Sequence, residues 1–270
     1  MTQLCSVCPR GCGVDRAGGQ LGFCAVPDAP MVARAAPHFG EEPCISGTRG
    51  SGAVFFSGCS LRCVFCQNRD ISRGEHGKEI TVAQLRAIFL RLRDEGVHNI
   101  NLVTPSHYTP QIAEALTGLS LGIPVVWNSS GYECVESLRM LEGLVQVYLP
   151  DMKYACPDRS TLLRRRGLSA GRPRCHSGNV PSDRTVPARR RRHASARRAH
   201  PASHLAAAGR KHPPRHRLGR ADIRAGQVLF SLMSQYTPWR SAQWPELQQP
   251  VSPALNDAHV RIPDGQPHHR

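Results

Sequence analysis

Three cysteines stand in the order Cys59-x3-Cys63-x2-Cys66, directly after the apolar run AVFFSG. Thiolates at this spacing can hold three irons of a 4Fe-4S cubane. The fourth iron then has no protein ligand and is open to a small chelating molecule. Gly58, just before the first cysteine, lets the backbone come close to such a cluster. A single zinc ion is the alternative: these thiolates with His76 as a fourth ligand suit a tetrahedral site. On either reading Cys59, Cys63 and Cys66 are the expected metal ligands, and on the first they are the catalytic centre.

A second set lies upstream. Cys5-x2-Cys8-x3-Cys12 and Cys24 supply four thiolates on a loop containing Pro9 and several glycines. Four thiolates suit a structural zinc or a second iron–sulfur cluster, and the spacing leaves both open. Eight of the eleven cysteines fall within the first 66 residues. Met1 to Arg10 has no apolar core of a secretory signal, and no apolar run approaches the roughly 18 residues of a membrane helix. The expectation is therefore a cytoplasmic protein with no membrane partner, its cysteines ligating metal rather than forming disulfides. Cys44 has no assigned role, and Cys134, at a helix start, reads as a small buried residue.

The elements that must position these thiols alternate in type. Ala53–Ser57 reads as a strand. Thr81–Glu95 carries Val82, Leu85, Ile88, Phe89 and Leu92 at helical spacing, with Thr81 as N-cap and Gly96 beyond the end. Asn99–Thr104, Pro124–Asn128 and Val145–Leu149 read as strands, with helices at Thr109–Leu119 and Val135–Leu141. Strands separated by helices of this length imply parallel βαβ units, whose ligands sit at the carboxyl ends of the strands. Residues 1–50 show little periodicity and read as a Cys-rich extension of loops. The division expected is 1–50 extension, 51–154 βα core, 155–226 basic segment, and 227–270 residual strand and tail.

The basic segment is unlike the rest. Of the 35 Lys/Arg and 20 Asp/Glu, 19 and 3 fall between Cys156 and Gly226, so the remainder of the chain is close to neutral. That stretch has no Phe, Trp or Tyr, and eight Leu, Ile, Val or Met in 71 residues. Such a composition buries too little to offset chain entropy. Val228–Met233 then reads again as a buried strand. Translation out of frame between two compensating shifts accounts for this pattern. The rival is a disordered basic insertion that contacts nucleic acid through phosphates. Confinement of the charge to one segment without stacking aromatics makes nucleic acid an unexpected partner.

Several stretches resemble the radical S-adenosylmethionine (SAM) superfamily, in particular an uncharacterised branch related to pyruvate formate-lyase activating enzyme. They are CSVCPRGCGVDR with GQLGFC, HFGEEPCISGTRGSGAVFFSGCSLRCVFCQNRDIS, INLVTPSHYTPQI, VVWNSSGYE, VYLPDMKY and LFSLMSQYTP. The resemblance covers about 1–154 and 227–253. It implies a partial (β/α)6 barrel, here incomplete in its second half, with SAM and a 4Fe-4S cluster as cofactors. It makes Phe65 the aromatic set against the adenine. By strand-end position it implies that Thr104, Ser106 and His107 hold the SAM amino group. Asn128, Ser129 and Ser130 would face the methionyl or ribose part, and Asp151 and Lys153 SAM or substrate. Local capping and salt bridges are the competing roles for these groups.

The activity implied is reductive cleavage of SAM to a 5′-deoxyadenosyl radical that abstracts hydrogen. By analogy the substrate is a glycyl-radical enzyme, and the electron donor a flavodoxin or ferredoxin. Two alternatives stand beside it: a zinc-binding module with a basic nucleic-acid-binding arm, and an inactive, frame-disrupted relative.

Overall fold

The computed structural model describes residues 4–151, Ala194–Arg198, Val228–Leu232, Pro238 and 245–250. In chain order the first elements are β1 (Met31–His38), α1 (Pro43–Ser46), β2 (Ser51–Phe56), α2 (Arg69–Arg73) and β3 (Lys78–Glu79). They are followed by α3 (Val82–Asp94), β4 (Ile100–Val103), α4 (Thr109–Leu116), β5 (Val125–Ser129), α5 (Val135–Arg139) and β6 (Val147–Pro150). The result is a mixed six-stranded sheet in the order β3-β1-β2-β4-β5-β6. The strands β2, β4, β5 and β6 run parallel, as the βα alternation requires, while β1 and β3 join antiparallel.

The parallel strands are nearly uniform apolar runs because both faces are covered. Val54 and Phe56, Ile100 and Leu102, and Val125 and Trp127 face the helix layer and enter one core with Leu85, Phe89 and Leu92 of α3 and Ile112 and Leu116 of α4. The sheet is packed by its helices on that face. On the other face, Phe55, Val103 and Asn128 line a cavity.

Helix α3 starts where its sequence dictates. Thr81 Oγ1 accepts from Gln84 N at 3.1 Å and Thr81 N donates to Gln84 Oε1 at 2.8 Å, a closed capping box. Helix α4 is shorter than its periodicity suggested. Thr117 turns to extended backbone and donates its hydroxyl to Ala113 O, and Gly118 takes a φ of 67°. Strand β1 was not anticipated, since the first fifty residues read as loops. It is half-buried along almost its whole length, so the apolar–polar alternation that marks a one-sided strand is missing. The short α1, α2 and β3 were equally silent in the pattern.

Beyond β6 the expectations meet the chain only in part. Val228–Leu232 (β8) is a strand, paired in parallel with Ala194–Arg198 (β7), which lies inside the basic segment. The rest of that segment, including Cys156 and the arginine runs, lies outside the described residues, as do Lys153 and most of the tail. Among the described residues no helix is long and apolar enough to cross a membrane.

The capping box gives a first prediction. Thr81→Ala leaves the Gln84 amide uncapped and should cost about 1 kcal/mol, read as a lower urea midpoint. An unchanged midpoint would show that the cap contributes nothing to the folded state.

Candidate metal centre and adjoining cavity

The loop carrying Cys59, Cys63 and Cys66 leaves β2 at Gly58, whose φ of 79° suits glycine alone. A Cβ there would meet Cys24 O at 2.6 Å. The loop is thus pressed against the N-terminal extension as well as the sheet. All three thiols are half-buried, and Leu61 N donates to Cys59 Sγ at 3.3 Å. Arg62, between the cysteines, takes a φ of 50°, an uncommon value for a residue with a Cβ.

A cavity of about 500 Å³ opens over this loop. Cys59, Cys63, Cys66 and Phe65 line it. So do Thr104 beyond β4, Asn128, Ser129 and Ser130 around the end of β5, and Asp151 beyond β6. A volume of this order suits a small-molecule ligand. The strand ends are tied to one another there: Thr104 N donates to Asn128 O at 2.9 Å and Asp151 N to Ser129 O at 2.8 Å. Thr104 has a φ of 58°, which is costly for a β-branched residue and is a feature of the site rather than of the sheet.

Nine of the residues expected at the site therefore share one cavity: the three cysteines, Phe65, Thr104, Asn128, Ser129, Ser130 and Asp151. Two others do not line it. Ser106 is buried and donates to Glu133 Oε1 at 2.6 Å. His107 is buried with its Nε2 at 2.7 Å from Ser57 O, so the ring carries its proton there and Nδ1 lies buried without a partner. Both residues brace the strand ends from behind. His76 is also away from the cavity, exposed and 3.8 Å from Asp70. Cys134 is half-buried, not buried, and its thiol meets Ser6 O at 3.9 Å. Among the described residues no three Cys, His, Asp or Glu side chains close on a point as one metal ion requires.

The sequence reading missed Arg34, His38 and Glu41, which line the cavity from β1 and the turn after it. Asn128 Nδ2 donates to Glu41 Oε1 at 3.2 Å. The signal was present in the family-like stretch HFGEE, but without β1 nothing placed it beside the strand ends.

Residues 53–166 match the radical SAM superfamily. That segment is thus similar to radical SAM domains, and the cysteine loop and the ends of β4, β5 and β6 lie within its bounds. An uncharacterised protein of Methanocaldococcus jannaschii is 35% identical over 159 residues, which is 56% of this chain. The chain spans 45% of that relative's length. Cys5, Cys8, Cys12 and Cys24 lie outside the matched domain. Radical SAM domains generally use a 4Fe-4S cluster and SAM. The donor set fits both: three thiols on one loop line the same cavity as hydroxyl, amide and carboxylate groups.

The buried His107 makes stability depend on pH. Burial holds its pKa down from 6.5 to about 3, against the pull of the Ser57 carbonyl and with the help of Arg16. The unfolded chain binds a proton that the folded chain refuses between those values, so stability is full above about 6.5 and falls as the pH drops toward 3. His107→Gln, whose amide can still donate to Ser57, should flatten the fall in urea midpoint of the metal-free protein between pH 7 and 5. An identical pH profile in the variant would place the acid sensitivity elsewhere.

Proposed function

We propose that the chain cleaves SAM reductively at a cluster held by Cys59, Cys63 and Cys66, and that the product radical takes hydrogen from a protein substrate. The observation that carries this reading is the single cavity shared by the three thiols and the polar ends of three parallel strands. When bound, a reduced 4Fe-4S cluster with SAM on its open iron supplies a 5′-deoxyadenosyl radical, at the expense of one electron from a ferredoxin or flavodoxin.

The chain's own residues then have distinct tasks. Phe65 is buried against the cysteine loop and offers a flat apolar surface for the adenine. Asn128, Ser129 and Ser130 hydrogen-bond the methionyl and ribose groups, with Asn128 oriented by Glu41. Thr104 offers its strained backbone and hydroxyl to the amino group. Phe55, Phe56, Leu61 and Val103 keep water from the reacting centre. Arg34, His38 and Glu41 bound the same cavity from β1 and supply donors and acceptors suited to a peptide segment. A glycine of a glycyl-radical enzyme is the substrate we infer, supported by the resemblance of the flanking stretches to pyruvate formate-lyase activating enzyme.

The test is anaerobic reconstitution of the full chain with iron and sulfide, then SAM and dithionite, with 5′-deoxyadenosine as the readout. The wild type should form it, and Cys59→Ala/Cys63→Ala/Cys66→Ala should not. Product from that variant, or colourless wild-type protein with zinc at these positions, would sink the proposal. Asn128→Ala should weaken SAM binding roughly tenfold, about 1.4 kcal/mol, by calorimetry under argon. Unchanged affinity would remove Asn128 from the SAM site.

A further inference from the structure

The four N-terminal thiols lie outside the radical SAM match and take no part in the function proposed above. Their loop is nonetheless built around sulfur. Cys5 N donates to Val14 O at 2.9 Å and Gly13 N to Cys5 O at 3.0 Å, and the turn between closes with Gly11 N on Cys8 O at 3.0 Å. Gly11 and Gly13 hold φ values of 50° and 62°. Phe23 N donates to Cys12 Sγ at 3.4 Å, which brings Cys24 to the same place. A Cβ on Gly22 would meet Cys12 Sγ at 3.3 Å. Cys8 and Cys24 are buried, and each lies within electrostatic reach of the other three thiols.

The two cysteine loops also clasp each other. Arg10, between Cys8 and Cys12, donates its Nε to Ser60 O, between Cys59 and Cys63, at 2.7 Å. Arg62, beside Cys63, donates to Phe23 O, beside Cys24, at 3.2 Å. Both guanidinium groups stand over the Phe23 ring, at 3.6 and 5.6 Å from its centroid. Each loop therefore lends one arginine to the other, around one shared aromatic.

We propose that Cys5, Cys8, Cys12 and Cys24 hold a second iron–sulfur cluster, set one arginine's length from the first by Arg10, Arg62 and Phe23. An iron–sulfur cluster is chosen over zinc on geometry. Tetrahedral zinc draws its sulfurs to about 2.3 Å from one point, whereas cubane thiolates bind different irons and stand apart. Among the described residues no three Cys, His, Asp or Glu side chains gather on one point as a single ion requires. Both cysteine sets also share a backbone N–H donated to sulfur and glycine in the left-handed region. The site stands on its own residues; only its adjacency to a first cluster rests on the reading above.

The test counts iron, sulfide and zinc in the full chain after anaerobic reconstitution. Two cubanes predict about eight irons in the wild type and about four in Cys59→Ala/Cys63→Ala/Cys66→Ala, with labile sulfide in proportion. Cys5→Ser/Cys12→Ser, at the two less buried positions, should also drop to about four. Four irons in the wild type and none in the triple variant would overturn the second cluster and leave the first intact. Four in both would instead overturn the first. One zinc without sulfide in the triple variant would overturn the choice of cluster. Adjacency is read separately by electron paramagnetic resonance of the fully reduced wild type. A signal broadened by coupling is expected, narrowing in either variant; an unbroadened wild-type signal would overturn the clasp.

Discussion

The site depends on hydrogen bonds made just past the ends of the parallel strands. Thr104 N reaches Asn128 O, Asp151 N reaches Ser129 O, and His107 reaches Ser57 O. A parallel sheet fixes its strands along their length by evenly spaced bonds but leaves the ends to fray. Here each end is tied to its neighbour, and the chain leaves each strand at a defined angle. The cost is a β-branched residue in the left-handed region at Thr104 and a buried imidazole that cannot be protonated without loss. Both are concentrated beside the cavity, where strain serves position rather than stability.

The parallel core was legible in the sequence because its signals are local and strong. The apolar runs at 53–57, 99–104, 124–128 and 145–149 each fall on a strand, and Thr81 caps the helix at the position its spacing required. Strand β1 was not legible, because a strand half-covered on both faces has no alternation to read. Its loss hid Arg34, His38 and Glu41 from the site. Ser106 and His107 do not line the cavity, for a related reason. A strand-end position says that a residue is near the ligand face, but the short helical turn at 106–108 carries these two side chains inward.

The cysteines were the most legible feature, and the structure adds what spacing alone lacked. Spacing made Cys59, Cys63 and Cys66 a set. Only the fold brings that set against Cys24 through Gly58 and against Cys8 and Cys12 through Arg10. The N-terminal extension is therefore packed on the domain, with Ser137 donating to Val7 O at 2.6 Å and buried Arg16 to His107 O at 2.7 Å. The composition of 156–226 is unlike the rest, with 19 of the 35 Lys/Arg and no Phe, Trp or Tyr, and β6 is the outer strand of the described six-stranded sheet.

The central claim is that the three thiols leave one iron open toward a cavity shaped for SAM. Electron–nuclear double resonance on the reduced protein tests it most directly, with SAM labelled at the amino nitrogen and carboxylate oxygens. The account predicts hyperfine coupling of both labels to the cluster, lost when Cys59, Cys63 and Cys66 are replaced. A reduced cluster that shows no coupling to either label, with SAM bound at saturation, would contradict it.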